Sequence, residues 1–343
     1  MLISDFDFVL PEELIAQKPL ERRETSRMLV VNRNEKIFRD EHFYNFPRFL
    51  KKDDVLVLNN TKVFPARLLG ESETGAKIEL FLVRNIENKT WETLAKPARR
   101  LKTGKKILFG ANLSAEVFGK TAEGRVVVKF ETIEDFNEVL DEIGQMPLPP
   151  YIKRESVDSD DDRERYQTVF AKNRGAIAAP TAGLHFTPNV LDEIKNLGVK
   201  IAEITLHVGY GTFEPVRVSD LSEHKVMPEN CEISEETAEV LNRAKAENKR
   251  IIAVGTTTTR ALESFTNEDG KISPGKKNAD LTVTPGYKFK TVGGLLTNFH
   301  LPQSSLLVLV STFAGGELIM NAYRHAVESK YRFYSYGDCM LVL

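Results

Sequence analysis

Apolar positions along the chain fall into two textures. Residues 1–62, and again those from 151 onward, show short continuous apolar runs interleaved with stretches of helical spacing. Runs such as Arg27–Val31, Val55–Leu58 and Arg250–Val254 suit buried strands. Val190, Leu191, Ile194 and Leu197 fall on one helical face. Thr187 and Pro188 stand ahead of it as N-cap and first helical residue, and Gly198 stands where a helix-ending glycine belongs. The apolar run Ala176–Ala179 comes before this helix and the largely alternating Val199–Leu206 after it. The pattern predicts strand, loop, helix, strand, loop. Such a βαβ unit carries its loops at strand C-terminal ends, where α/β folds keep ligand sites.

Between Phe64 and Glu131 the texture changes. Six brief runs recur: Ala66–Gly70, Lys77–Arg84, Thr90–Ala95, Ile107–Phe109, Leu113–Phe118 and Arg125–Phe130. Turn residues separate them every ten or so positions, which predicts a small antiparallel barrel or sandwich. Thr132 is a candidate cap for a helix with Ile133, Phe136, Val139, Leu140 and Ile143 on its apolar face and Gly144 at its end. Met146–Tyr151 is a proline-stiffened connection, and the charged stretch 154–165 reads as a solvated loop. A short helix is expected at Pro11–Ile15, and longer ones from Ser234 to about Asn248, after Gly255, over Ser304–Phe313 and over Gly316–Lys330. Gly293 opens a strand running into a loop, and Arg332–Tyr336 is expected as a last strand. The expected class is therefore α/β. A discontinuous domain, 1–62 plus 151–343, carries an inserted all-β domain at 63–150.

Bulk properties narrow this picture. At 343 residues the chain exceeds the size at which one core usually keeps growing, so a large domain plus a smaller one is expected. A hydrophobic content of 41% and a charged content of 28% are ordinary for a globular protein in water. Lys+Arg 47 against Asp+Glu 49 leaves a net charge of −2, so any nucleic-acid contact must use a local basic patch. Cys231 and Cys339, with no Cys-x-x-Cys spacing, offer neither a disulfide framework nor a thiolate zinc site. The early residues lack a long apolar run, so neither signal peptide nor membrane span is expected, and the cytoplasm is the expected location.

Candidate chemistry gathers at three histidines. His185, His207 and His300 each follow an apolar run and enter a loop rich in Gly, Thr and Pro. Histidine is the usual proton carrier near neutral pH. Three histidines could instead hold zinc with an open position, although separations of 22 and 93 residues match no ligand motif. Gly255–Arg260 has the strand-glycine-polar-helix order whose free N–H groups favour a carboxylate or phosphate. Lys96, Arg99, Arg100, Lys102, Lys105 and Lys106 put six cations in eleven residues with no acid between, a candidate nucleic-acid contact on the all-β segment. The Gly-x-Gly-x-x-Gly fingerprint of dinucleotide and methyltransferase folds is missing.

Longer motifs then resemble one family. They are Ala178–Phe186 (AAPTAGLHF), Thr205–Val216 (TLHVGYGTFEPV), Val254–Thr257 (VGTT) with Arg260 and Glu263, Thr297–Pro302 (TNFHLP), Tyr331–Asp338 (YRFYSYGD), Asn59–Leu68 and Met146–Ile152. Together they resemble the S-adenosylmethionine:tRNA ribosyltransferase-isomerases of queuosine biosynthesis, in order and over essentially the whole chain. Gly293 departs from an expected acidic residue, and Thr282-Val283-Thr284 is more polar than usual. The resemblance implies a barrel-like α/β major domain with a small inserted β-barrel. It implies ribosyl transfer from S-adenosylmethionine to 7-aminomethyl-7-deazaguanine at the tRNA wobble position, with isomerisation to epoxyqueuosine and release of adenine and methionine. No metal or recycled cofactor is expected, since S-adenosylmethionine is consumed, and a monomer is expected. Base and acid are assigned among His185, His207 and His300, and Glu214 or Asp338 to balance the sulfonium charge. Tyr210, Phe213 and Phe299 are candidate walls. Thr256 to Thr259 with Arg260 are to hold the methionine carboxylate, and Thr181, Gly183 and Asn298 complete the substrate contacts. A three-histidine metallohydrolase and a non-catalytic RNA-binding protein are the alternatives.

Overall fold

A computed structural model describes residues 1–110, 112–154 and 160–343, apart from the side chains of Asp160 and Phe213. The first part supplies β1 (Arg27–Asn32), β2 (Ile37–His42), β3 (Val55–Asn59) and β4 (Thr61–Val63). Six strands follow: β5 (Arg67–Ser72), β6 (Lys77–Glu87), β7 (Thr90–Lys96), β8 (Lys106–Phe109), β9 (Leu113–Lys120) and β10 (Val126–Glu131). After them come α1 (Phe136–Ile143), α2 (Asp160–Arg165), β11 (Asn173–Ala176), α3 (Pro188–Asn196) and β12 (Lys200–Leu206). Next are β13 (Glu229–Ile233), α4 (Glu235–Ala246), β14 (Ile251–Val254), α5 (Thr256–Phe265) and β15 (Gly275–Ala279). The chain closes with β16 (Gly294–Asn298), α6 (Ser305–Ala314), α7 (Gly316–Glu328) and β17 (Cys339–Val342).

Nine strands form one mixed sheet in the order β15-β13-β12-β3-β14-β16-β17-β1-β2. Its centre is parallel: β12, β3, β14 and β16 run together, and β17 enters antiparallel beside β16. The central strands read as continuous apolar runs because both faces are covered. Along β3, Val55 and Val57 enter one core with Leu241, Leu262 and Leu309 of α4, α5 and α6. Leu56 and Leu58 enter the opposite core with Phe43, Phe46 and the α3 residues Val190 and Ile194.

The inserted strands close into a six-strand antiparallel barrel, β10-β7-β6-β5-β8-β9. Alternate residues such as Ala115 and Val117, or Val126 and Val128, fill its interior, so the period-two pattern is satisfied by one wet and one dry face. The α/β class and the inserted barrel agree with expectation. The closure expected of the major domain belongs to the insertion, whereas the nine-strand sheet keeps two edges, β15 and β2.

Several local expectations change. Ala176–Ala179 is not a strand of the large sheet. Only β11 pairs there, with β4 in a separate two-strand sheet, so α3 does not join two strands of one βαβ unit. Asp135, rather than Thr132, caps α1 by accepting from the backbone N–H groups of Asn137 and Glu138, and Ile133 is 93% exposed. Part of the stretch read as a solvated loop forms α2, while residues 155–159 lie outside the described ones. Arg332–Tyr336 is a turn, not a strand. Both oxygens of Asp338 hold it, accepting from Arg332 N (2.8 Å) and Arg27 N (2.9 Å). A Cβ on Gly337 would lie 2.5 Å from the Phe333 carbonyl carbon, so the turn folds tightly on itself. Among the described residues no single helix is long and apolar enough to cross a membrane.

Candidate active site

The C-terminal ends of the parallel strands open into one cavity of about 150 Å³. Four segments line it. Ala178–Ala182 follows β11, and Val208, Thr212, Glu214 and Pro215 follow β12. Gly255, Thr256 and Thr257 follow β14, and the run from Thr297 to Leu306 continues β16 into α6. Tyr151, Tyr166, Tyr334 and Ser335 close it.

Two helix N-termini meet here. Gly255, with φ +97°, turns β14 into α5 so that the first residues of the helix face the cavity. Ser304 caps α6, accepting from Leu307 N at 3.3 Å while its hydroxyl donates to Leu301 O at 2.8 Å. Free N–H groups at both termini favour a negatively charged ligand group.

His300 lines the cavity with its ring in hydrogen-bond contact with Thr297 Oγ1 at 2.9 Å, and its backbone N–H donates to Tyr323 Oη at 3.0 Å. Burial pushes its pKa down to about 3, so the ring is neutral at any working pH. His185 stands one layer behind. Asn298 Nδ2 donates to Tyr334 O at 2.8 Å, which turns Asn298 Oδ1 toward His185 Nε2 at 3.3 Å. That nitrogen must carry the proton, so Ser26 Oγ–H donates to His185 Nδ1 at 2.7 Å. Burial lowers His185 to about 4. His207 points elsewhere. Its Nδ1 meets Thr61 Oγ1 at 2.8 Å beside the small sheet, and its ring covers Gly175, where a Cβ would come within 2.6 Å. The three histidines therefore do not converge, and among the described residues no three His, Cys, Asp or Glu side chains are grouped to hold a metal ion.

Other candidates divide in the same way. Thr181, Thr256, Thr257, Asn298 and Glu214 line the cavity. Glu214 also reaches Arg125 of the inserted barrel at 4.0 Å, which places the cavity beside the junction of the two parts. Phe299 backs the wall but is fully buried against Tyr323, Tyr331 and Phe333. Asp338 is spent on the 332–338 turn. Arg260 is not available to a substrate carboxylate: Nη1 pairs with Glu229 Oε2 at 3.0 Å, and its other nitrogens reach the carbonyls of Leu281, Ala279 and Met227. Gly183 is a packing glycine, since a Cβ there would meet Phe170 at 2.7 Å. Tyr210 packs edge-on against Phe81 of the barrel, with ring centroids 5.9 Å apart, outside the cavity. The side chain of Phe213 lies outside the described residues. Lys96, Arg99, Arg100, Lys102 and Lys106 are exposed on the barrel and Lys105 is half-buried, far in sequence from any cavity-lining segment.

Sequence reasoning missed Tyr151, Tyr166, Ser335 and Glu229. Tyr151 Oη bonds Ser335 Oγ, and Tyr166 is fully buried at the cavity. Tyr151 and Ser335 lie inside motifs that carried the resemblance, a signal left unused. Tyr166 and Glu229 have no local pattern to betray them. Glu229 accepts from Gly209 N at 2.8 Å and from Arg260, and burial raises its pKa.

An open α/β sheet with a cavity at its strand ends and an inserted antiparallel barrel defines an α/β enzyme with an accessory β-domain. More closely, the chain belongs to the queuosine biosynthesis protein family, whose model matches residues 3–342. It is 50% identical over 345 residues to the S-adenosylmethionine:tRNA ribosyltransferase-isomerase of Natranaerobius thermophilus, covering 100% of this chain and 99% of that one. It is likewise 50% identical over 342 residues to the protein of the same name from Caldanaerobacter subterraneus subsp. tengcongensis, covering 99% of each. The crystal structure of S-adenosylmethionine tRNA ribosyltransferase from Thermotoga maritima is similar at a TM-score of 0.55 and 34% identity, over 99% of this chain and 100% of that one.

Proposed function

We propose that this chain transfers the ribosyl part of S-adenosylmethionine to 7-aminomethyl-7-deazaguanine at the tRNA wobble position and isomerises it, giving epoxyqueuosine-tRNA, adenine and methionine. It would act as a cytoplasmic monomer that consumes S-adenosylmethionine and recycles no cofactor. The observation that carries this reading is the charge layout of one cavity. Two helix N-termini suit a carboxylate, and Glu214 suits a cation on the same small molecule. S-adenosylmethionine has both groups.

The chemistry needs a base near the C5′–H, which the adjacent sulfonium acidifies, and a proton for the departing adenine. His300 is the histidine of the three that faces the cavity, and it is neutral, as a base must be. Burial disfavours its imidazolium, and a ligand carboxylate brought alongside would favour it. Tyr151 and Tyr166 are kept protonated by burial, so their hydroxyls are available as donors. His185 acts through Asn298, holding that amide with its Nδ2 turned to the 334–335 turn.

Incubation with S-adenosylmethionine and tRNA carrying the deazaguanine precursor, followed by mass spectrometry of the wobble nucleoside, tests the proposal. Formation of the epoxycyclopentanediol adduct with stoichiometric adenine is expected. An unmodified nucleoside, under conditions in which the Natranaerobius relative converts it, overturns it.

A further inference from the structure

Behind the cavity wall lies a second, smaller pocket of about 30 Å³, lined in part by Leu20, Arg23, Ser26, Arg165, His185 and Ser335. Arg332 stands close enough that its charge, with that of Arg23, helps keep His185 unprotonated. The three guanidinium groups bond only to carbonyl oxygens. Arg23 donates to Gln167 O (2.6 Å) and Glu164 O (3.0 Å), Arg165 to Glu21 O (3.2 Å) and Leu20 O, and Arg332 to Lys18 O. Among the described ion pairs none involves any of the three. Glu164 acts on Arg23, and Asp338 on Arg332, only at longer range.

Two features remain unexplained by the fold. Arg165 Nε and Arg332 Nη1 are buried without a hydrogen-bond partner, although a buried charged donor left unmade is costly. Arg23 is held below its usual pKa by burial and then by its like-charged neighbour Arg165. An oxyanion in the pocket would meet Arg23 and Arg165, which line it, and would be favoured by the nearby charge of Arg332, because guanidinium forks match carboxylate and phosphate oxygens. The pocket is larger than a single water requires, roughly 10–15 Å³ on the same measure.

We infer that this pocket is a phosphate site that takes a backbone phosphate of the polynucleotide substrate, an inference that rests on the tRNA activity proposed above. A phosphate is favoured over the carboxylate of the small substrate by position. His185, Asn298 and Ser335 stand between this pocket and the cavity, whereas the neighbouring Glu21 and Arg22 are exposed to solvent. The ligand therefore arrives from outside. The site also lies on different elements from the basic barrel loop, so it would fix a second point on the nucleic acid.

The test uses the full-length protein and the variants Arg165→Met, Arg332→Met and Arg165→Lys. Inorganic phosphate is titrated by calorimetry at constant ionic strength, and tRNA and S-adenosylmethionine binding are measured across salt concentrations. Wild-type protein should bind phosphate saturably, and each Met variant should bind it at least about tenfold more weakly. The salt slope for tRNA should fall by roughly 0.7–0.9 in each, one phosphate's worth. S-adenosylmethionine affinity should stay unchanged. Arg165→Lys keeps the charge but lacks Nε–H, so it should lose phosphate affinity while nearly keeping the slope, which guards against a Met variant that fails to fold. Absence of saturable phosphate binding by the wild type, or an unaltered tRNA slope, overturns the inference. Lost S-adenosylmethionine affinity with an intact tRNA slope would give the site to the small substrate and also overturn it. The phosphate titration needs no turnover, so failure of the proposed reaction is read separately from failure of this site.

Discussion

At the residue scale, position relative to the cavity separates the three histidines, since His185 and His300 are both buried and only His300 lines it. His300 meets the cavity, His185 supports it through Asn298, and His207 braces Gly175. His300→Ala should therefore lower adenine release by at least about 10²-fold, the usual worth of a positioned proton carrier. His207→Ala should mainly lower thermal stability and leave turnover close to wild type; equal turnover losses in the two variants would contradict this assignment. The same burial makes a pH prediction. His185 and His300 are depressed to about 4 and about 3, below the ordinary value near 6.5. Between those limits the unfolded chain binds protons that the folded chain does not, so stability is full above about pH 6.5 and falls as pH drops toward 4. Displacing a pKa by one costs roughly 1.4 kcal/mol, so the two histidines together withdraw on the order of several kcal/mol. Glu229 and Asp338, raised by burial, act in the opposite sense at the acid end. Urea unfolding at pH 7.5 and pH 5 checks the sign, and His300→Gln should flatten the difference.

At the element scale, the loop after β12 is held from beneath by the Glu229–Arg260 pair, which ties β13 and the Gly209 turn to α5. Both side chains are buried, and removing one charge strands the other. Glu229→Gln should cost about 3–5 kcal/mol of stability, visible in the denaturation midpoint, and should loosen Thr212 and Glu214 at the cavity. A change below about 1 kcal/mol would mean that Arg260 finds its charge partner elsewhere. Apart from Thr132, caps read at helix ends are real at this scale: Thr187 accepts from Val190 N, Ser234 at the start of α4 from Thr237 N, and Gly198 adopts φ +78°. These signals are legible because they depend on three or four consecutive residues.

At the scale of the whole molecule, the inserted barrel and the α/β part meet beside the cavity through Glu214 and Arg125. The barrel's basic stretch is exposed and, among the described residues, uses none of its six cations in an ion pair. As the candidate nucleic-acid contact, it is tested by replacing Lys96, Arg99 and Arg100 with Gln, which should weaken tRNA binding and flatten its salt dependence. Every cation withdrawn from a phosphate should lower the slope by roughly 0.7–0.9. Turnover at saturating tRNA should persist, because the stretch does not line the cavity. A slope equal to wild type would remove the barrel stretch from the interface.

What sequence determined by itself was whatever depends on near neighbours. The apolar runs of β1, β3 and β14, the helical face and caps of α3, and the alternating strands of the barrel were all legible, because periodicity and capping act over a few residues. The glycine and threonine turn at 255–257 was legible as a helix start after a strand for the same reason, and its residues line the cavity. Tertiary structure decided the rest. Arg260 lies next to the threonines in sequence, yet its direction is set by Glu229, 31 residues away. Asp338 belongs to a motif, but two backbone N–H groups, one 311 residues distant, take both its oxygens. Similar local sequences put His185, His207 and His300 at the mouths of loops, and only the stacking of four chain segments sends one ring into the cavity and the others behind or away from it. Chain direction and spacing do not encode that choice. It is made by which buried donor finds which acceptor when the sheet is assembled.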